Sequence, residues 1–418
     1  MELIKAKELE EIDWKEIVEQ LKRFFGESLP WYQIGPPVQI NERIKESLHK
    51  LGEVLPRFYK GVRDIFLEEK EVQNLFKQGK KRWMLKLISR ILEKKDQRIP
   101  LVYRPDVIIA ESSKKFPIKI AEIEVAVEGL GFQEVFSNIY YEKEGALIRF
   151  AEESKEEGFV FLDLNNEDSI LETKIIVEIL QKKEFFSELV KIGRLISKVE
   201  KVDHSVSIFR PFNEARMSAD PLFSEEELKK YFEFEGNLYN VPTGAVFENK
   251  LCLALIHNEK FEEYFGRYLQ KKEIEFLREV IPYTTVPHWE NSALMLKRKE
   301  YVIKEAGGTL KSWGGRALIR GNKITQKKFN QILEKAKDFS EPLIVLQKYE
   351  RAKEFMLPFF EISKNQIIYQ KKRAKILPFY LTTDLSKAQL IGSLGVFRNH
   401  WVIQGARNAS LSLSLIHI

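Results

Sequence analysis

The sequence predicts a mixed α/β (α+β) fold: a helical region over 1–95, two strand-rich blocks, and an open α/β layer inserted between them. Three observations lead there. Ile40, Ile44, Leu48, Leu51 and Leu55 recur at spacings of four and three, which draws one apolar stripe along a helix. From about residue 96 the texture changes to short apolar runs bounded by turn residues, as in IPLVYRPDVIIA and PIKIAEIEVAVEG. Beyond 158, strands alternate with helical stretches, the pattern of an open α/β layer.

Taken in order, Pro36-Pro37 precede the first long helix and Asn41 is its early cap. The strands of 96–150 follow, joined by a polar, hairpin-like ESSKKF. GFVFLDLN (158–165) reads as a short buried strand, and a long helix is expected from about 170 to 200. HSVSIFRPF and SEEELKKYFEF continue the alternation, and 247–279 reads as helical again. A second strand-rich block comprises EYVIKEA, RALIRG, PLIVLQKYE, QIIYQKKRAKILPFYL and SLGVFRNHWVIQG. The expected divisions are therefore 1–95, 96–150, 151–285 and 286–418. The closing SLSLSLIHI fits no cap and reads as appended vector or adapter sequence.

Lys+Arg 68 against Asp+Glu 62 leaves a net charge of +6 over 418 residues, too mild for a nucleic-acid signature. The lysine-rich stretches near 78–95 and 370–375 read as solvated faces. A single cysteine, Cys252 in an apolar helical run, excludes an internal disulfide framework and reads as a core thiol. The charged N-terminus has no apolar signal region and no stretch suits a membrane span, so a soluble, cytoplasmic protein without membrane partners is expected.

The chemistry is expected in two places. KIAEIEVAVEG sets two glutamates inside an apolar run. In a regular strand Glu122 and Glu124 share a face with Ile118 and Ile120, while Ile123, Val125 and Val127 fill the other. Two carboxylates so close resist burial unless a cation or donors compensate them. An edge strand whose glutamates reach water or pair with Lys or Arg is one reading; a bound cation is the other.

The second place is YVIKEAGGTLKSWGGRALIRG, a strand ending in Lys304, a loop with Gly307, Gly308, Gly314 and Gly315, and a further strand. Glycines let backbone amides approach a polyphosphate, and a lysine adds a mobile charge. It is not a Walker A loop, since no Gly-Lys-Ser/Thr and no following helix are present. A glycine-rich hairpin that binds nothing has the same composition. Downstream, PLIVLQKYE ends an apolar strand in Gln347 and Lys348.

Together, in this order, the pieces resemble the circularly permuted ATP-grasp ligases, nearest to the glutathionylspermidine synthase-like branch. Arg104-Pro105-Asp106 looks like the family's Arg-x-Asp, and Glu122-Ile123-Glu124 looks like its Glu-x-Asn, with a glutamate in place of the asparagine. VPTGAVFENKLCLALIHN resembles the segment with a nucleotide-contacting lysine, here Lys250. YVIKEAGGTLKSWGG resembles the second lysine and phosphate-covering hairpin, giving Lys304, Ser312, Gly314 and Gly315; PLIVLQKYE is similar to the adenine hinge. GVFRNHWVIQGARNASL looks like the closing strands, with Arg398 as the phosphate-contacting arginine.

The resemblance covers roughly 100–410 and implies the roles of the divisions. Residues 96–150 would carry the metal-binding strands, 151–285 a pre-ATP-grasp-like α/β domain, and 286–418 the nucleotide-binding lobe with the closing strands. It implies an ATP-dependent carbon–nitrogen ligase acting through an acylphosphate. ATP and Mg2+ would be the cofactors, and a small-molecule or peptide carboxylate and an amine the substrates. Asp106, Glu122 and Glu124 would ligate magnesium, and Arg104 and Arg398 would offset charge on the transferring phosphoryl group. The alternative is a catalytically inactive ATP-binding sensor or partner protein, which Glu124 favours by altering the metal site.

Overall fold

The computed structural model describes residues 4–6, 12–27, 29, 31–78, 88–89, 92–93, 99–111, 115–125, 127–154, 158–163, 167–191, 206–209, 226, 244–289, 297–307, 318–338, 341–382, 386–400 and 410–415. Ser312, Gly314 and Gly315 lie outside these residues, as do most of the 78–95 lysine run and of SEEELKKYFEF.

The N-terminal region contains α1 (Trp14–Phe25), α2 (Glu42–Glu68) and α3 (Lys70–Lys77), and also three short strands, β1 (Ile4–Ala6), β2 (Gln33–Ile34) and β3 (Val38–Ile40). Asn41 caps α2, its side-chain oxygen accepting from the Ile44 amide at 3.0 Å. The apolar stripe is fully buried at Ile44, Leu48, Leu51 and Leu55. It packs on a large sheet, where the Tyr380 hydroxyl donates to the Leu48 carbonyl at 2.8 Å. A Cβ at Gly52 would lie 2.5 Å from the Ala388 carbonyl oxygen and 3.0 Å from the Tyr380 ring. Gly52→Ala is therefore expected to destabilise by about 1–3 kcal/mol through overpacking, against the usual gain of alanine in a helix. Urea unfolding that showed a gain would contradict this helix–sheet contact.

The first strand-rich block supplies β4 (Val102–Ile109) and β5 (Ile118–Glu124), followed by α4 (Leu130–Tyr141) and α5 (Ala146–Ser154). The α/β layer supplies β6 (Gly158–Asp163), α6 (Glu167–Lys182), β7 (Phe186–Lys191) and β8 (Val206–Phe209). The long helix expected over 170–200 ends at Lys182, and β7 pairs in parallel with β6. Glu184 at φ 65 turns the chain there, and non-local pairing overrides a helical local pattern.

The following helices are short: α7 (Gly244–Phe247), α8 (Leu251–Leu255), α9 (Glu262–Gly266) and α10 (Lys271–Val280). Then come β9 (Thr284–Thr285), β10 (Tyr301–Glu305), β11 (Leu318–Arg320), α11 (Gln326–Ala336) and β12 (Ile344–Lys348). The last strands are β13 (Glu354–Glu361), β14 (Gln366–Thr382), β15 (Ala388–Arg398) and β16 (Ser410–Leu415).

Among the described residues these strands form a nine-stranded mixed sheet, a four-stranded antiparallel sheet ordered β11-β10-β12-β9, and a three-stranded parallel sheet ordered β7-β6-β8. In the large sheet β4 pairs with β14, so strands far apart in sequence lie side by side. Within the SLSLSLIHI run, Ser410–Leu415 pairs with β15 and lies parallel to β2 and β3.

Two cores clasp the large sheet. One face meets α2 and the helices of 244–280 through Tyr59, Tyr103 and Tyr380. The other meets α1, α4, α5 and α6 through Leu377, Phe379 and Leu394. A separate small core joins α11 to the four-stranded sheet.

Candidate functional site

The site begins with an irregularity in β5. Asp106 pairs with Glu122, but the next residue of β4, Val107, pairs with Ile120. Ala121 is thus an extra, bulged residue, and it reverses the alternation expected from the sequence. Ile118 and Ile120 fall into the same core as Ile123 and Val125, while Val127 enters the opposite core. The bulge frees Glu122 and Glu124 from apolar companions. They face the side of the sheet that carries Arg104 and Asp106, their partners in register. The same bulge exposes a carbonyl: the Lys304 ammonium donates to Ala121 O at 2.9 Å.

Lys250 arrives from the turn between α7 and α8, which is stitched on both sides. Glu248 accepts from the Val125 amide of the β5 end at 2.9 Å, and the Lys250 amide donates to Ala306 O beyond β10 at 2.7 Å. The Lys250 ammonium, 6% exposed, then meets Glu122 at 2.6 Å. Lys250, Lys304 and Glu122 therefore converge from three separate segments.

Arg104 ion-pairs with Glu124 and stands 3.7 Å from Asp106 Oδ1. Asp106 Oδ2 meets Lys375 at 2.7 Å, with side chains only 13% and 9% exposed. Sequence reading assigned Lys375 to a solvated lysine run. In the fold, Lys372 and Lys375 are buried while Lys371 is exposed. The signal was weak but present: Ala374 and the apolar ILPFYL beside Lys375 mark where β14 enters the core.

The charges act on one another. Burial opposes ionisation of Asp106, yet Lys375 and Arg104 outweigh it and hold the carboxyl below its usual value. Glu124 is pushed well above the carboxylate range by burial and by Asp106, Glu128 and Glu122, against the pull of Arg104. Arg104 is held above its ordinary value: burial works against its charge, but Glu124, Asp106 and Glu128 prevail. Burial lowers Lys304 to about 8, helped by the repulsion of Lys250 and Lys375 and resisted by Glu122 and Asp106.

The expected three-carboxylate metal set is not assembled. Among the described residues no three His, Cys, Asp or Glu gather as a metal cage. Glu124 stands opposite Arg104 and is taken by it. Asp106 and Glu122, directly opposite each other, do fit magnesium, which uses one or two carboxylates and leaves the remaining positions to water and phosphate. Asp106 Oδ1 is buried and accepts no hydrogen bond, a hard oxygen without a donor.

The remaining candidates are spread more widely. Gln347 pairs with Val302, two residues from Lys304, so both face one side of the four-stranded sheet. Its side-chain amide donates to Thr284 Oγ1 at 3.1 Å, and the Lys348 amide donates to Tyr283 O at 2.8 Å. β12 is thus flanked by β10 and β9 rather than open along an edge. Arg398 ends β15 opposite Arg373, two register steps from the Lys375–Val396 pair and on the Lys375 face. Cys252 is buried, its thiol against Val246 O at 3.1 Å. No described helix is long and apolar enough to cross a membrane.

No family model and no curated protein sequence matches the chain. Among solved structures, a glutathione synthetase-like effector of Globodera pallida in apo form aligns with a TM-score of 0.61 at 12% identity, over 96% of this chain and 95% of that one. This likeness shows a common fold along nearly the whole length. A putative gamma-glutamylcysteine synthetase from Methylobacillus flagellatus KT aligns with a TM-score of 0.40 at 8% identity over 85% of each chain, too distant to carry an argument.

Proposed function

We propose that the chain is an ATP-dependent ligase joining a carboxylate to an amine, of circularly permuted ATP-grasp type. The observation that carries this reading is the convergence of Lys250 and Lys304, from separate segments, beside the Asp106–Glu122 pair. The likeness of fold to a synthetase-like protein supports it. A substrate carboxylate oxygen attacks the γ-phosphorus of ATP, ADP leaves, and an acylphosphate forms. The amine attacks the acyl carbon, phosphate departs and the amine gives up a proton.

Such a transfer needs positioning and charge neutralisation rather than a protein nucleophile. Lys250 and Lys304 hold the phosphates, and Arg104, with Arg398 from the β15 end, offsets charge on the phosphoryl group. Asp106 and Glu122 would hold magnesium, which when bound neutralises phosphate oxygens. Residues 96–150 and 286–418 act in this reading as one catalytic unit, with 151–285 as the pre-ATP-grasp-like layer.

A second reading, a nucleotide-binding sensor or partner without turnover, is favoured by one observation: each carboxylate already has a basic partner. Calorimetry with ATP, with and without magnesium, followed by ADP release over a panel of carboxylates and amines, separates the two. Magnesium-dependent binding with ADP release supports the ligase. Binding with no ADP from any pair leaves the sensor, and no binding by folded protein overturns both.

A further inference from the structure

One buried carboxylate lies next to the charge cluster and has no part in the reaction above. Glu172 belongs to α6 of the α/β layer, yet its side chain reaches across to the strap between β5 and α4. Its Oε1 accepts from the amides of Gly129 at 2.7 Å and Gly131 at 3.0 Å. α4 begins at Leu130 behind a glycine that has no side chain to cap it. The first amides of a helix need acceptors, and Glu172 supplies one from another layer. Gly129 sits at φ 102, a conformation natural to glycine, and a Cβ there would stand 3.3 Å from the Phe379 ring.

The peptide unit preceding Gly129 is held at both ends. Its N–H, on Gly129, donates to Glu172. Its carbonyl, on Glu128, accepts from Arg104 Nη1. A peptide unit is planar and rigid, so fixing the N–H fixes the direction of the carbonyl. The carbonyl in turn orients the guanidinium that pairs with Glu124 and approaches Asp106.

We infer that Glu172 is a positioning residue that sets Arg104 through the Glu128–Gly129 peptide, linking the α/β layer to the charge cluster. The inference rests on the reading above for the use of Arg104, though the linkage itself does not. Burial, reinforced by Glu128, lifts Glu172 to about 7 while the two amides and Arg104 resist, so the carboxyl sits where its protonation is balanced. Glutamine keeps the accepting oxygen; alanine removes it and leaves room for water.

The test uses the full chain with Glu172→Gln, Glu172→Ala, Arg104→Lys and the Glu172→Ala/Arg104→Lys double variant. Affinity for a magnesium complex of a non-hydrolysable ATP analogue is measured by calorimetry at equal folded fraction. Glu172→Ala is expected to lose roughly 10-fold or more, since small misplacements of a charged group carry such penalties. Glu172→Gln should stay close to wild type, and Glu172→Ala should cost little further once Arg104 is already changed. Equal losses from Glu172→Ala in both backgrounds, or a Gln variant as poor as Ala, would overturn the inference. If wild type binds no nucleotide, the ligase reading fails, and the same cycle is read from unfolding free energies. Non-additivity then upholds the linkage, and additivity refutes it.

Discussion

Asp106→Asn is expected to destabilise the protein by about 3–5 kcal/mol, the scale for removing one partner of a buried ion pair. Its ammonium partner, Lys375, has a side chain only 9% exposed and would be left without a carboxylate at 2.7 Å. Arg104 would lose a neighbour at 3.7 Å as well. The Asp106→Asn/Lys375→Met double variant should recover most of that loss, because an uncharged chain of similar length removes the stranded charge. Urea unfolding of the four proteins measures the cycle, and strictly additive effects would refute the pairing. The pH dependence has a definite sign. Burial raises the Asp106 pKa, but Lys375 and Arg104 bring it below the unfolded value, so its contribution is present above that value. It is lost as pH falls through the lower, folded value, and Asp106→Asn should lack that acid step. Loss of activity in Asp106→Asn must therefore be judged against the double variant.

Lys304→Met is expected to weaken binding of magnesium–ATP roughly 100-fold, the scale of a strong charged hydrogen bond to phosphate. It should leave the fold intact, since the Lys304 ammonium donates to a carbonyl, Ala121 O at 2.9 Å. Wild type should also take up a proton on binding near pH 8. Burial holds Lys304 at about 8, and phosphate charge beside it raises that value. Calorimetry in two buffers of different ionisation enthalpy would show the uptake in wild type and not in Lys304→Met. Buffer-independent heats in wild type would contradict the assignment. Without ligand the sign is the reverse of a stabilising lysine. Between about 8 and the ordinary lysine value of 10.5 the unfolded chain binds more protons, so stability rises with pH there in wild type.

Much of this site was legible one element at a time. The β5 run, the lysine next to the end of β10 and the stripe of α2 announce themselves through periodicity and residue type. Arg104, Asp106, Glu122, Glu124, Lys250 and Lys304 are all in or beside one charge cluster. Lys375 and Glu172 were not legible. One hid at the end of the basic run Lys371–Arg373, and the other in a helix of the α/β layer. Little near either names its partner, because the partners lie 269 and 43 residues away.

What the sequence by itself determined is therefore the kind of most segments and the chemical groups they carry, since these follow from local periodicity and side-chain type. Only the tertiary structure decided which face those groups share. The extra residue Ala121 in β5 is recognisable only against the register of β4, and it turns both glutamates to the charged side. Burial of Lys375 depends on β4 docking along β14, and the tilt of Arg104 on a peptide held from α6. Register and burial are set by pairing between distant segments, where free energy depends on the partner as much as on the residue, and no local pattern encodes the partner.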